Sequence, residues 1–237
     1  MPTVQVKNFC KNYGKTEAVK GISFNIEKGE IFGLIGPNGA GKTTTLRVMS
    51  TLLQITSGSV KIMDYDLEKQ PKKIRHLISY LPEDAGAYKN LTGREYLTFI
   101  AKFFERKDIK KMIQKGIEIT DLGERINDKV DTYSKGMKRR LLVGRALMTD
   151  PDLAILDEPT SGLDVINAQE IRKIIKDTAK NGTTVLLSSH NMLEVEYLCD
   201  RIALIANGKI IEEGEPSQLM EKYKSNNIEE VFTKVVA

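Results

Sequence analysis

No stretch of this chain is apolar over the roughly 18 residues that a membrane-crossing helix needs. Its best apolar runs, Ile31–Ile35 and Ala154–Leu156, are only strand-length. The opening Met1-Pro2-Thr3-Val4-Gln5 has neither a charged region nor an apolar one behind it, so no signal peptide is expected. Cysteine is scarce: Cys10 and Cys199 are far apart, without metal-ligand spacing, which fits a reducing cytosol. Solenoid or propeller repeats and sustained heptads are missing too. Charge of one sign hardly dominates, with 36 Lys+Arg against 32 Asp+Glu for a net +4. The basic clusters Lys69–Arg75 and Lys135–Arg140 could touch phosphates or anionic lipid. They carry no interleaved aromatics and are read as solvated faces, with no nucleic-acid partner. The expectation is a soluble intracellular protein.

What is present is ordinary globular composition, 41% hydrophobic and 29% charged in 237 residues. At about 150 residues per domain, this suggests one large domain or two intimately packed subdomains. Val4-Gln5-Val6 and Ile22–Ile26 alternate as half-buried antiparallel strands do. Ile31–Ile35 is apolar throughout, as in a central strand covered on both faces. A Gly-rich turn and a helix through Leu46, Met49 and Leu53 follow, then short strands at Val60–Ile62 and Ile78–Leu81. Between Pro82 and Met148 the pattern becomes helical. Thr92 and Glu95 form a capping box for a helix running towards Phe104. A second helix covers Ile109–Ile119, and Ser134 caps a third. Strand–helix alternation then resumes: Leu153–Leu156, Val165–Ala179, Thr183–Ser188, Met192–Leu198 and Ile202–Ile205. Lys209–Glu213 reads as an edge strand after the Asn207-Gly208 turn. From Lys224 on, a loose tail or short helix is expected. The pattern predicts an α/β fold with a mainly parallel sheet.

Gly36-Pro37-Asn38-Gly39-Ala40-Gly41-Lys42-Thr43 fits the P-loop pattern, and it leaves a buried strand and opens a helix. Glycines let the backbone wrap phosphate oxygens so that N–H groups point inward. The helix start adds a positive field. Lys42 would neutralise the β/γ-phosphates, Thr43 would offer a hydroxyl to Mg²⁺, and Thr44 continues the cradle. A metal needs a second anchor. The buried strand ending in Asp157-Glu158 supplies it: Asp157 to hold Mg²⁺ and Glu158 to polarise the water that attacks the γ-phosphate.

With these motifs in order, the chain resembles the ATP-binding subunit of an ABC transporter over essentially its whole length. The resemblance implies a P-loop NTPase core with a mainly parallel sheet, an N-terminal antiparallel β subdomain and an inserted helical subdomain. It implies one ABC ATPase domain over 1–237, with core 1–82 and 149–223, helical signature subdomain 83–148 and tail 224–237. Ser161-Gly162-Leu163-Asp164 is similar to the family's D-loop, and His190 to the switch histidine that contacts the γ-phosphate. Tyr13 is similar to the aromatic residue that stacks on adenine. Ser134, Lys135, Gly136 and Met137 stand where the Leu-Ser-Gly-Gly-Gln signature belongs. In the family that signature meets the ATP held by a second ATPase subunit, identical or not, so two subunits sandwich two nucleotides.

Two departures stand out. Lys135 and Met137 replace Gly and Gln, with Tyr133 for Leu; Lys135 would place positive charge near the partner's phosphate. Glu83 replaces the Gln of the Q-loop, where a carboxylate still accepts from water and ligates Mg²⁺. Both variants resemble those of exporter-type subunits for multidrug, sodium or polysaccharide export. The implied activity is MgATP hydrolysis coupled to a separate integral membrane permease. The subunit would sit peripherally at the cytoplasmic face, with Glu83–Tyr88 as the docking groove. Rival readings are a soluble ABC-type ATPase of translation or DNA repair, and a low-turnover structural subunit of a heteromeric transporter.

Overall fold

Two sheets form in the computed structural model, which describes residues 2–104 and 108–236 apart from the side chain of Glu194. Met1 and Ala237, the first residue of the expected leaderless start and the last of the expected tail, lie outside the described residues. The first sheet contains β1 (Val4–Tyr13) and β2 (Thr16–Ile26), which are far longer than their alternating segments suggest. Their pairing slips between Val6 and Phe9, between Phe9 and Cys10, and between Lys11 and Asn12, where Asn8 has a positive φ of 46°. Each slip resets which side chain faces inward, so the two-residue period disappears although the strand continues.

β3 (Ile31–Ile35) is buried at every position, as its apolar run predicts. β4 (Ser57–Ile62) and β5 (Tyr65–Asp66) complete the first sheet in the order β2-β1-β4-β5, with antiparallel pairing throughout. The second sheet adds β6 (Ile78–Leu81), β7 (Leu153–Asp157), β8 (Thr184–Ser189), β9 (Arg201–Ala206) and β10 (Lys209–Gly214) to β3. Its order is β10-β9-β3-β8-β7-β6; every pairing is parallel except that of the edge strand β10.

Helix α1 (Lys42–Met49) stops short of Leu53: Ser50 is its C-cap and Thr51 turns to φ 59°. Helix α2 (Pro71–Leu77) overlaps the first basic cluster. Pro71 opens it, Ile74 is buried, and Lys72, Lys73 and Arg75 face solvent. Helix α3 (Gly93–Ala101) starts at the expected capping box, where Thr92 Oγ1 accepts from the Glu95 N–H and Glu95 accepts from the Thr92 N–H. It ends before Phe104. Then come α4 (Ile109–Thr120) and α5 (Lys135–Leu147), the latter capped by Ser134. Beyond β7 lie α6 (Val165–Lys180), α7 (Met192–Leu198), α8 (Pro216–Lys222) and α9 (Ile228–Val236). Of the two readings of the stretch from Lys224, a loose tail or a short helix, the structure shows the helix, docked over Ile228–Val236. Ile228 and Val231 are fully buried, and the Ile228 N–H donates to Glu196.

Successive residues of the central strands feed two cores. Val185 and Leu187 face the helical side with Leu97, Leu141 and Ile171, while Leu186 faces the antiparallel side with Phe9, Leu46 and Ile62. The alternation follows from strand geometry and explains the unbroken apolar runs. No described helix is long and apolar enough to cross a membrane.

Candidate functional site

The carboxyl ends of β3, β6, β7 and β8 lie along one edge of the parallel sheet, and each delivers a different residue there. Ligands of open α/β sheets bind at such edges. After β3 the chain passes so close to β9 that a Cβ on Gly36 would lie 2.1 Å from the Ile205 carbonyl oxygen. Gly41, the N-cap of α1, has φ 107° and brings no side-chain cap. The first N–H groups of α1 thus lack both a helical partner and a capping side chain, an arrangement suited to an anion. A cleft of about 150 Å³ opens here, lined by Ala18, Asn38, Gly39, Lys42, Thr43 and Glu158 among others. Pro37, Gly41 and Thr44 line it as well, while Ala40 is buried and its N–H donates to Pro37.

Lys42 is buried at the floor. Its ammonium donates to the Gly36 carbonyl at 2.7 Å and the Pro37 carbonyl at 3.2 Å, and lies 3.5 Å from Glu158 Oε1. Thr43 Oγ1 donates to Asp157 Oδ1 at 3.3 Å. Asp157 ends β7, and Glu158 then adopts φ 48°. That left-handed step, uncommon for a non-glycine residue, turns the backbone so that both carboxylates reach one edge. Glu158 Oε2 lies 2.8 Å from His190 Nδ1 and accepts the His190 backbone N–H at 3.3 Å. Lys42, Thr43, Asp157, Glu158 and His190 therefore form one contiguous set.

Glu83 follows β6 and also lines the cleft; its Oε1 accepts from Ser161 Oγ at 3.4 Å. Tyr13 ends β1, is 47% exposed with Lys11 Nζ 5.3 Å from its ring centroid, and does not line this cleft. Neither do Ser134, Lys135, Gly136 and Met137. Ser134 is exposed and accepts the Met137 N–H at 3.2 Å. Gly136 is pressed against α6, where a Cβ would lie 1.9 Å from Asn167 Oδ1. Asn167 is itself fixed by Asp164, which accepts its backbone N–H at 2.9 Å and its side-chain amide at 2.6 Å. Lys135 reaches across Gly162, so that its ammonium lies over the same segment that holds Asp164.

Three residues of this region went unread in the sequence. Arg139 belongs to the basic cluster expected to face solvent, yet it is buried. Its guanidinium donates to the carbonyls of Pro82, Glu83, Asp157, Glu158 and Pro159, tying the ends of β6 and β7 together. Burial lowers its affinity for the proton, against the pull of Glu83, Asp157 and Glu158. Tyr80 donates to Asp157 Oδ2 at 3.4 Å; burial first, then the Asp157 charge, pushes its phenol up to about 12, so it keeps the proton. Ser188 donates to Asp157 Oδ1 at 2.6 Å. Apolar neighbours in the sequence gave no sign that a Tyr and a Ser on strands would reach one carboxylate.

The donor set suits a hard cation of modest coordination demand. No cluster of three or more His, Cys, Asp or Glu able to hold a metal exists among the described residues. One hydroxyl and one carboxylate side by side, beside the uncapped start of α1, match the way Mg²⁺ is held by few protein oxygens plus substrate phosphates.

The sequence profile of the ABC transporter family matches residues 19–161. The linearmycin resistance ATP-binding protein LnrL of Bacillus subtilis (strain 168) is 41% identical over 227 residues, covering 95% of this chain and 73% of that protein. The bacitracin transport ATP-binding protein BcrA of Bacillus licheniformis is 39% identical over 211 residues, covering 89% and 69%. Among solved structures, the dimeric ATP-binding cassette MJ0796 in a post-hydrolysis state with ADP and phosphate matches with TM-score 0.78 and 26% identity, covering 90% of this chain and 98% of that one.

Proposed function

The chain belongs to the ABC transporter family as an ATP-binding subunit, and we propose that it hydrolyses MgATP between two ATPase subunits to power export through a separate membrane permease. The observation that carries this reading is the connected set Lys42–Glu158–His190 and Thr43–Asp157 at one sheet edge. The resistance and transport relatives support the export direction. The permease would bring the subunit to the cytoplasmic face of the membrane, docking at Glu83–Tyr88.

In this reading the N–H groups of Gly39 and of Gly41 to Thr44 wrap the phosphates, and Lys42 exchanges Glu158 for the β/γ-phosphate oxygens. Thr43 and Asp157, with Glu83 nearby, would hold Mg²⁺, which neutralises charge on the β- and γ-phosphate oxygens when bound. Glu158, freed from Lys42, accepts a proton from the attacking water, and His190 steadies Glu158 and reaches the γ-phosphate. Tyr13 offers a ring face to adenine. Ser134, with Lys135, Gly136 and Met137, presents the start of α5 to the phosphate held by a second subunit, whose Asp164 region lies alongside.

Light scattering with and without MgATP tests this. Glu158→Gln should lower turnover by about a hundredfold or more while leaving ATP bound, so that a dimer persists. Adding Ser134→Arg should abolish that dimer and spare monomer ATP binding. A double variant that still dimerises would show that Ser134 does not read the opposing nucleotide.

A further inference from the structure

Ser188 is fully buried at the penultimate position of β8, directly paired across the sheet with Asp157. Its hydroxyl makes two hydrogen bonds of opposite sense. It donates to Asp157 Oδ1 at 2.6 Å and accepts the Glu158 backbone N–H at 3.0 Å. The strand β7 has just ended there, because Glu158 has swung to φ 48°. The Glu158 N–H, buried and turned out of the strand's own path, finds the Ser188 side chain as its acceptor. One oxygen thus fixes the carboxylate assigned to the metal and the backbone of the residue assigned to the water.

We propose that Ser188 is a positioning residue for ATP hydrolysis, which sets the Asp157 carboxylate and the Glu158 backbone turn relative to each other. The proposal rests on the roles given above to Asp157 and Glu158. Tyr80 and Thr43 also donate to Asp157, but neither touches Glu158. Thr43 is moreover the hydroxyl expected to turn to the metal, which would leave Ser188 and Tyr80 to orient the carboxylate. A carboxylate that accepts a short bond from a buried hydroxyl presents its other lone pairs in a fixed direction. Loss of the hydroxyl leaves a buried N–H without a partner at the residue whose backbone is already strained.

The full chain tests this with Ser188→Ala, Ser188→Cys and Ser188→Thr. Cys fills nearly the same space but is a weak donor and acceptor, so it controls for a cavity. Ala and Cys should each lower kcat by about tenfold with little change in KM for ATP, and Thr should restore most of the loss. Independently of turnover, the affinity of the nucleotide-bound protein for Mn²⁺, read by electron paramagnetic resonance, should weaken by about tenfold in Ala and Cys and recover in Thr. Tyr80→Phe removes a donor to Asp157 but none to Glu158, so it should weaken Mn²⁺ affinity and lower kcat less than Ser188→Cys does. Parent-like kcat and Mn²⁺ affinity in the Cys variant overturn the proposal, whatever becomes of Ala. So does a loss in Cys that Thr does not recover. A parallel Glu158→Gln variant that hydrolyses ATP normally breaks instead the underlying assignment of Glu158.

Discussion

Two helix starts in this protein face phosphate in the proposed mechanism, and they are built in opposite ways. Helix α1 begins on Gly41, with no side-chain cap, beside the buried Lys42 and its ring of carbonyl and carboxylate partners. Everything that α1 needs comes from the same chain, and its N–H groups are left for the ligand. Helix α5 begins on the exposed Ser134, whose hydroxyl already accepts the Met137 N–H. Its neighbour Lys135 lies over Gly162, and Gly136 is wedged against Asn167. The second start is held firmly by its own chain on one side and open on the other. In the proposed mechanism α1 is therefore a finished half-site, while α5 is the complement of a half-site, its start left open to a phosphate from outside.

The largest effect that sharpens this contrast is Lys42→Ala. It removes the cation at the α1 start and should weaken MgATP binding by about a hundredfold or more, measured by calorimetric titration. Parent-like affinity would break the P-loop assignment. No comparable loss in monomer ATP binding is expected from Ser134→Arg or Gly136→Ala at the start of α5.

The seat of α5 is tested next with Gly136→Ala. Its methyl group must displace the Asn167 amide, so it should cost about 1–3 kcal/mol of stability in denaturant unfolding. In a Glu158→Gln background it should also weaken the MgATP-driven dimer. Asn167→Ala in the same chain opens space for the methyl, so the double variant should regain part of both losses. Additive losses would show that the contact does not hold the α5 start in place.

A smaller effect is expected at Glu83, which lines the cleft at the α1 start and accepts from Ser161. Glu83→Gln retains an oxygen acceptor at the same place, so ATPase activity should stay within about threefold of the parent. Complete loss of hydrolysis would make the carboxylate itself essential. The smallest change belongs to Tyr13, half exposed at the end of β1. Tyr13→Ala should weaken ATP, ADP and GTP alike by about threefold to tenfold, because a stacked ring reads a face and not an edge. Discrimination among the three nucleotides would show contacts other than stacking.

Local chemistry made much of this legible in the sequence. The P-loop, the strand ending in Asp157-Glu158 and the Ser134 cap are each contiguous, and each owes its form to residues a few positions apart. The central strands were readable because burial on both faces leaves nothing but apolar residues. The long course of β1 was not, because bulges at Asn8 and beyond scramble its alternation. Helix α2 was hidden inside a run of lysines: with only Ile74 buried, seven residues show too little apolar periodicity to announce a helix. The register of α9 against α7 depends on Glu196 meeting the Ile228 N–H, a contact thirty-two residues apart in the chain.

By itself, then, the sequence determined the Gly-rich turn before α1, the two carboxylates, the alternating α/β order and the residue types at the start of α5. These depend on backbone freedom, capping and hydrophobic period, which act over a few residues. Only the tertiary structure decided that Arg139 is a buried clamp and not a surface charge, and that Lys135 lies over Gly162. It likewise decided that Ser188 joins Asp157 to Glu158. Those roles depend on which strand ends meet at the sheet edge and on how closely α5 approaches α6. Long-range packing sets both, and a side chain with several rotatable bonds, such as Arg or Lys, takes whichever partner that packing brings within reach.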